Sequence, residues 1–175
     1  MPDKKSPTQS ALRSRRSLLM GGGAVIAASA IAGGLMLRQS PAVASEETVK
    51  TSEIVVYKTP TCGCCGAWVQ HLDDAGLKTS TVNQNDLTNT REKLGAPADL
   101  RSCHIAVADG YVVEGHVPAE AIKKLLAERP DAVGIFVPGM PLGSPGMEGP
   151  YGSQAYNVIL LRRDGSREIF ASYPE

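Results

Sequence analysis

The 175-residue sequence has no excess of positive charge, because its 18 basic residues are matched by 18 acidic ones. It therefore lacks the basic patch that is typical of nucleic-acid-binding proteins. It also lacks a Ser-His-Asp set, a pair of catalytic carboxylates and a glycine-rich phosphate loop in a credible context. The three glycines at 21–23 are not such a loop, because they fall in a targeting segment. These absences argue against a nucleic-acid-binding protein, a serine hydrolase and a nucleotide-binding enzyme.

A strongly apolar run of about 20 residues, as a stable membrane span requires, is also missing. Residues 21–37 are rich in alanine and glycine and poor in leucine. They follow the sequence SRRSLLM at 14–20, which is typical of twin-arginine export. The small residues of PAVA at 41–44 suit a signal peptidase. We predict that residues 1–44 are a cleaved twin-arginine signal peptide and that the mature protein is periplasmic, with no membrane span. An uncleaved N-terminal anchor is the alternative.

The chain after residue 44 is long enough for one core and too short for two comfortable domains. It carries 12 basic and 17 acidic residues, since six basic residues and one acidic residue lie in the predicted signal peptide. A negative surface is compatible with cationic cargo, but more often it serves only solubility. We predict a disordered lead-in over residues 45–52 and a single domain over residues 53–175.

Apolar periodicity and turn residues predict the elements of this domain. A β-branched run at 54–57 indicates a buried strand, and a helix follows the cysteines. Their order is β-α-β-α-β-β-α, which is the order of thioredoxin, with the first helix at the position of the thioredoxin redox pair. We therefore predict an α/β, thioredoxin-like fold whose central mixed sheet is flanked by helices. The segments at 158–161 and 168–170 predict an extra C-terminal β-hairpin.

Three of the four cysteines lie within the sequence TCGCCG at 61–66. Disulfides that staple a fold are usually spread along the chain, so this clustering indicates a site. The N-terminus of the following helix favours anions and lowers the pKa of thiols. Gly63 and Gly66 are expected to allow a tight bend that points neighbouring sulfurs at one centre.

This cluster permits two interpretations. Cys62 and Cys65 have the spacing of a redox C-x-x-C pair, which favours a thiol-disulfide oxidoreductase. Cys64 adds a third thiol that would invite disulfide shuffling in such an enzyme but would serve a metal site. Thiolates are soft ligands that select copper(I), with zinc as the usual competitor. Several clustered thiolates can also bridge more than one copper ion.

The fourth cysteine, Cys103, precedes the third predicted strand. In thioredoxin topology this loop lies beside the redox loop and usually carries a cis-proline. Cys103 is therefore predicted to be the fourth metal ligand, with a role as a small buried apolar residue as the alternative. His104 is either a further ligand, through its imidazole, or a structural residue at the strand edge.

The motifs YKTPTCGCCGAWVQHL, SCHIAVADGYVVEGHVPAEAIKKLLAERP and VPGMPLGSPGMEG resemble the exported metal-binding family that includes the CopG-like copper-resistance proteins. The resemblance covers nearly all of residues 53–173. It implies a thioredoxin-like fold and copper handling in the periplasm, with other periplasmic copper-handling proteins as partners. The family's cysteine motif falls on Cys62, Cys64 and Cys65, and its Cys-His pair falls on Cys103 and His104. Storage, transfer and redox conversion of copper all stay open.

Three further residues are weaker candidates for metal ligands. Met140 and Met147 lie in a small PGM repeat, and their thioethers are soft enough to bind copper(I). Their alternative role is to fill an apolar edge. His116 ends the predicted hairpin strand, where a structural role is the alternative to a ligand role.

Overall fold

The computed structural model describes residues 53–174. The predicted signal peptide and the predicted lead-in lie outside these residues. Within them the chain forms seven strands and three α-helices in one mixed α/β domain. The strands are β1 Ile54–Lys58, β2 Thr79–Asn83, β3 His104–Ala108, β4 Tyr111–Glu114, β5 Ala132–Phe136, β6 Tyr156–Arg162 and β7 Arg167–Tyr173. The helices are α1 Gly63–Asp74, α2 Thr88–Leu94 and α3 Ala119–Glu128, with a 3₁₀ turn at Ala98–Leu100.

The seven strands form one sheet in the order β2-β1-β3-β4-β5-β6-β7. Strand β1 runs parallel to β2, and β4 runs parallel to β5, while every other neighbouring pair is antiparallel. The predicted mixed sheet is therefore confirmed. The sequence-based prediction missed β5, which inserts between β4 and the C-terminal strand pair β6–β7.

Turn chemistry fixes the hairpin of β3 and β4. Asp109 and Gly110 both have positive φ, at 49° and 87°, as a two-residue turn of this kind requires. The turn sets the register so that Ala108 lies opposite Tyr111. The neighbouring parallel pairs join through helices, as parallel strands must.

Two apolar layers cover the faces of the sheet, because successive strand residues point to opposite sides. One layer contains Trp68 and Leu72 of α1 and Ile122 and Leu125 of α3. The other layer lies beside the end of α2 and the 3₁₀ turn and contains Phe136. Helix α1 is thus packed against the sheet through Trp68 and Leu72, and its N-terminus follows the carboxyl end of β1. Among the described residues, we find no helix with the length and apolarity needed to cross a membrane.

Candidate metal centre

The first three cysteines lie at the N-terminus of α1, which begins at Gly63 and so includes Cys64 and Cys65 instead of following the cysteines as predicted. Cys62 is the N-cap, and its Sγ accepts a hydrogen bond of 3.3 Å from the Cys65 amide. Cys64 and Cys65 therefore belong to the first turn of the helix. Gly63 and Gly66 are ordinary helical positions with open space where a Cβ would lie. The prediction of a tight bend at these glycines is wrong, because the helical backbone itself brings the sulfurs together.

The four cysteine sulfurs form one group, with all of them within 4.8 Å of one another. Cys62 and Cys65 are joined by a disulfide, while Cys64 and Cys103 are free. The Cys64 sulfur lies 3.5 Å from that of Cys62, and the Cys103 sulfur lies 3.5 Å from that of Cys65. The structure thus brings together all four cysteines that the sequence singles out. Because two are bonded to each other, coordination of a metal by all four requires a two-electron reduction first.

Both histidines around the β3–β4 hairpin contact the Cys103 sulfur. His104 Nδ1 lies 3.3 Å from this sulfur, and His116 Nε2 lies 3.2 Å from it. Both imidazoles are fully buried. Cys103 consequently belongs to two candidate metal-binding groups, one with four sulfurs and one with a sulfur and two imidazoles.

The hydrogen bonds of the two imidazoles decide which nitrogen carries the proton. His116 Nδ1 lies 2.8 Å from the Pro145 carbonyl oxygen. A carbonyl oxygen can only accept, so Nδ1 is protonated and Nε2 turns its lone pair toward Cys103. Such a fixed tautomer is typical of histidines that bind metals.

His104 is less well prepared to act as a ligand. Its Nε2 is buried and has no hydrogen-bond partner among residues 53–174. Ligation through Nδ1 would place the proton on Nε2, and a buried N–H without an acceptor is costly. The contacts therefore favour His116 over His104 as an imidazole ligand, although the sequence favours His104.

Burial also controls the charge of this group. It lowers the pKa of His104 to about 3 and lowers that of His116 from its ordinary value of 6.5. Burial raises the pKa of the Cys103 thiol to about 12, and the Cys64 sulfur adds to this rise. In the metal-free protein, the Cys103 thiol can donate its proton to the Nε2 lone pair of the neutral His116 imidazole. A soft cation that displaces this proton gains both a thiolate and an imidazole nitrogen.

Comparison with known proteins now identifies the family. Two solved structures, of "Copper resistance protein copG" in forms 1 and 2, each share 46% sequence identity with the chain. Each match covers 70% of this chain and 98% of the solved chain, with a TM-score of 0.67. The chain belongs to the CopG-like copper-resistance family. Residues 100–147 also match the family described as "Protein of unknown function, DUF411". No curated protein matches the chain.

In this CopG-like chain, the loop between β5 and β6 also reaches the cysteines. Gly146 has φ of +82°, and a Cβ there would lie 2.6 Å from the Cys64 carbonyl oxygen and 2.8 Å from the Trp68 amide nitrogen. Only glycine allows the loop to lie this close to α1. The approach also places the Pro145 carbonyl against His116.

Trp68 closes the buried side of the site. Its indole Nε1 donates a 2.8 Å hydrogen bond to the Val117 carbonyl oxygen. Its ring centroid lies 4.3 Å from that of His104. The tryptophan therefore belongs to the core and also keeps water from the imidazole.

The two methionines of the repeat differ in their surroundings. The Met140 side chain is 51% exposed. Met147 lines a cavity of about 350 Å³ together with Leu142 and Tyr151. Their role as copper ligands stays a prediction.

Sequence reasoning missed a buried ion pair beside the CopG-like site. Arg91 of α2 bonds to Glu114 of β4, with Arg91 Nη2 2.9 Å from Glu114 Oε1 and Nε 3.0 Å from the same oxygen. The Glu114 side chain is fully buried, and that of Arg91 is 11% exposed. No local pattern links these residues, because they are 23 positions apart. A charged residue at the end of an otherwise apolar strand is the one signal in the sequence.

We expect Arg91→Met to lower the free energy of unfolding by about 3–5 kcal/mol, because it leaves the Glu114 carboxylate buried and unpaired. Arg162→Met is the matched control. This substitution breaks the ion pair of Arg162 with Glu168, whose side chain is 48% exposed, while that of Arg162 is 40% exposed. Because both charges are solvated, the free energy of unfolding should fall by about 1 kcal/mol or less. Urea unfolding of the reduced proteins measures both values, and equal losses would contradict the prediction.

Proposed function

We propose that this protein binds copper(I) through Cys62, Cys64, Cys65 and Cys103 and sequesters or relays it as part of copper resistance. The observation that carries the proposal is the gathering of four sulfurs within 4.8 Å of one another. The name of the solved relatives supports it, since both are called copper resistance proteins. Soft thiolates favour copper(I), with zinc as the competitor.

The second group around Cys103 supports binding of more than one ion per chain. His116 offers a lone pair to the same sulfur that borders Cys64 and Cys65. A thiolate can bridge two metal ions, so Cys103 is suited to join an all-sulfur centre to one that includes an imidazole. His104 is a further ligand in this proposal. Its ligation through Nδ1 requires a change of tautomer that moves the ring proton from Nδ1 to Nε2.

We also propose a periplasmic location, with residues 1–44 as a cleaved twin-arginine signal peptide and other periplasmic copper-handling proteins as partners. The support for this location is the sequence of residues 1–44, with SRRSLLM at 14–20 and PAVA at 41–44. The core is proposed to be thioredoxin-like, with β6 and β7 as an elaboration. The order of the first seven elements supports this.

Anaerobic reconstitution of the reduced protein tests the copper proposal. We expect the protein to retain copper(I) against a moderate chelator, with more than one ion per chain. Thiol counting before loading must give four free thiols. A fully reduced protein that loses all its copper to the chelator would refute the proposal.

His116→Gln should weaken copper(I) binding about tenfold, because glutamine removes the fixed lone pair beside Cys103. The matched control is His71→Gln. His71 Nε2 accepts a hydrogen bond from the Ala119 amide at 3.1 Å and supports α3 instead. Chelator competition compares the two variants. Equal copper retention by both would remove His116 from the ligand set.

The disulfide favours a second candidate function, thiol-disulfide exchange by Cys62 and Cys65. Its position at a helix N-terminus suits a redox pair. This function predicts turnover in a disulfide-reduction or isomerisation assay that disappears with Cys62→Ser and survives Cys64→Ser. Absence of turnover in the metal-free protein would refute this second function and leave copper binding as the proposed function.

A further inference from the structure

The ion pair of Arg91 and Glu114 is directed at the backbone that carries Cys103. The Ser102 amide donates a 2.8 Å hydrogen bond to Glu114 Oε1. Arg91 Nη2 donates a 2.7 Å hydrogen bond to the Ser102 carbonyl oxygen. Both polar groups of this residue's backbone are therefore held by one buried pair of side chains.

These bonds take the place of backbone pairing between strands, because Ser102 precedes the first residue of β3. Strand β3 starts only at His104. The Ser102 carbonyl belongs to the peptide group that joins it to Cys103, so Arg91 fixes the plane of that peptide directly. Because the Cys103 sulfur lies 3.5 to 3.7 Å from two other sulfurs, a small rotation of this peptide would separate them.

A second contact holds the same loop from the other side. The Ser102 hydroxyl donates a hydrogen bond to the Gly139 carbonyl oxygen, and the Gly139 amide donates one of 2.9 Å to the Arg101 carbonyl oxygen. These bonds tie the loop to the segment after β5. They leave the backbone N–H and C=O of Ser102 to the ion pair alone.

We propose that Arg91 and Glu114 are positioning residues that fix the Cys103 sulfur against the helix α1 cysteines. Arg91 acts through its guanidinium fork, which binds the carboxylate and the carbonyl at the same time. Lysine keeps the charge but offers no planar fork. The consequence for copper affinity rests on the proposed function, while the consequence for sulfur placement does not.

The test measures sulfur placement without metal. Protein with the Cys62–Cys65 disulfide intact is treated with diamide, which takes up the two electrons and two protons released as the thiols of Cys103 and Cys64 form a disulfide. Peptide mapping by mass spectrometry follows the rate. We expect Arg91→Lys and Glu114→Gln to slow this reaction at least about tenfold, because held groups react through their high effective concentration.

Leu125→Val is the control, since this buried α3 residue belongs to the apolar core and contributes to stability there. It should leave the rate of Cys103 linkage unchanged. Circular dichroism confirms that each variant is folded, and the conservative Arg91→Lys keeps the test usable where Arg91→Met unfolds. Folded Arg91→Lys and Glu114→Gln variants that link Cys103 at the wild-type rate would overturn the proposal.

Copper titration then separates this inference from the proposed function. Weaker copper(I) binding by about 10- to 100-fold in both variants, with slower linkage, is the result expected for partners that orient a ligand. If wild-type protein binds no copper, the proposed function fails, and the linkage rates still decide the positioning role. Unchanged linkage rates, with copper bound by the wild-type protein, refute the positioning role and leave the proposed function standing.

Discussion

Replacement of Cys103 by serine is expected to produce the largest loss of copper of any single substitution. Cys103 is the one residue that belongs to both candidate metal-binding groups. Its sulfur lies 3.7 Å from that of Cys64 and 3.2 Å from His116 Nε2, so its removal disrupts both. A hydroxyl is a poor ligand for a soft cation. Copper(I) affinity should fall by more than the 10- to 100-fold that loss of a ligand's supporting partner costs.

Cys62→Ser is the matched comparison, because it removes one sulfur from one group only. Anaerobic competition with a chelator gives the affinity, and metal analysis gives the number of ions retained. Cys103→Ser should lose more affinity and more ions than Cys62→Ser. A Cys103→Ser protein that retains as much copper as Cys62→Ser would show that Cys103 does not join two centres.

The metal-free protein should also lose stability steeply as the pH falls below about 6.5. Burial lowers the pKa of His104 to about 3 in the folded protein, whereas the unfolded chain titrates near 6.5. The unfolded state therefore binds more protons between these values, and the free energy of unfolding falls as pH falls. One such histidine gives a slope of about 1.4 kcal/mol per pH unit. His116, whose pKa is lowered as well, adds in the same direction.

Glu114 contributes with the opposite sign. Burial raises its pKa above the ordinary value of 4.5, so the folded protein binds more protons than the unfolded chain in that range. Comparison of variants therefore isolates the histidine effect better than the total slope does. His104→Phe should flatten the pH dependence measured by urea unfolding between about pH 4 and about pH 6.5, where wild-type His104 is neutral in the folded protein and protonated in the unfolded chain. An unchanged slope in this variant would contradict the assignment.

The sequence predicted the fold best where local chemistry decides it. Asp109-Gly110 is a strong two-residue turn signal in the sequence, and in the structure it joins β3, which ends at Ala108, to β4, which begins at Tyr111. Strand β5 was missed, since it has only five residues and one of them is Gly134. Such a short buried run shows no periodicity that separates it from a loop.

The candidate site shows the same contrast between features set by local sequence and features set by long-range contacts. Cysteine spacing and thioredoxin topology together predicted that Cys103 lies beside Cys64 and Cys65. The advantage of His116 over His104 could not be predicted, because it depends on the Pro145 carbonyl, 29 positions away in sequence. The support that Arg91 and Glu114 give to the loop likewise depends on the packing of α2 against β4. Contacts of this kind arise only when the whole chain folds.

The most direct test of the central claim is copper X-ray absorption spectroscopy on protein purified anaerobically from copper-fed cells. The proposed function predicts retained copper(I) with ligands that are mostly sulfur and a smaller nitrogen contribution from an imidazole. In the His116→Gln protein the nitrogen contribution should fall while the sulfur contribution stays. Protein that carries no copper, or copper bound by nitrogen and oxygen alone with all four thiols reduced, would contradict it.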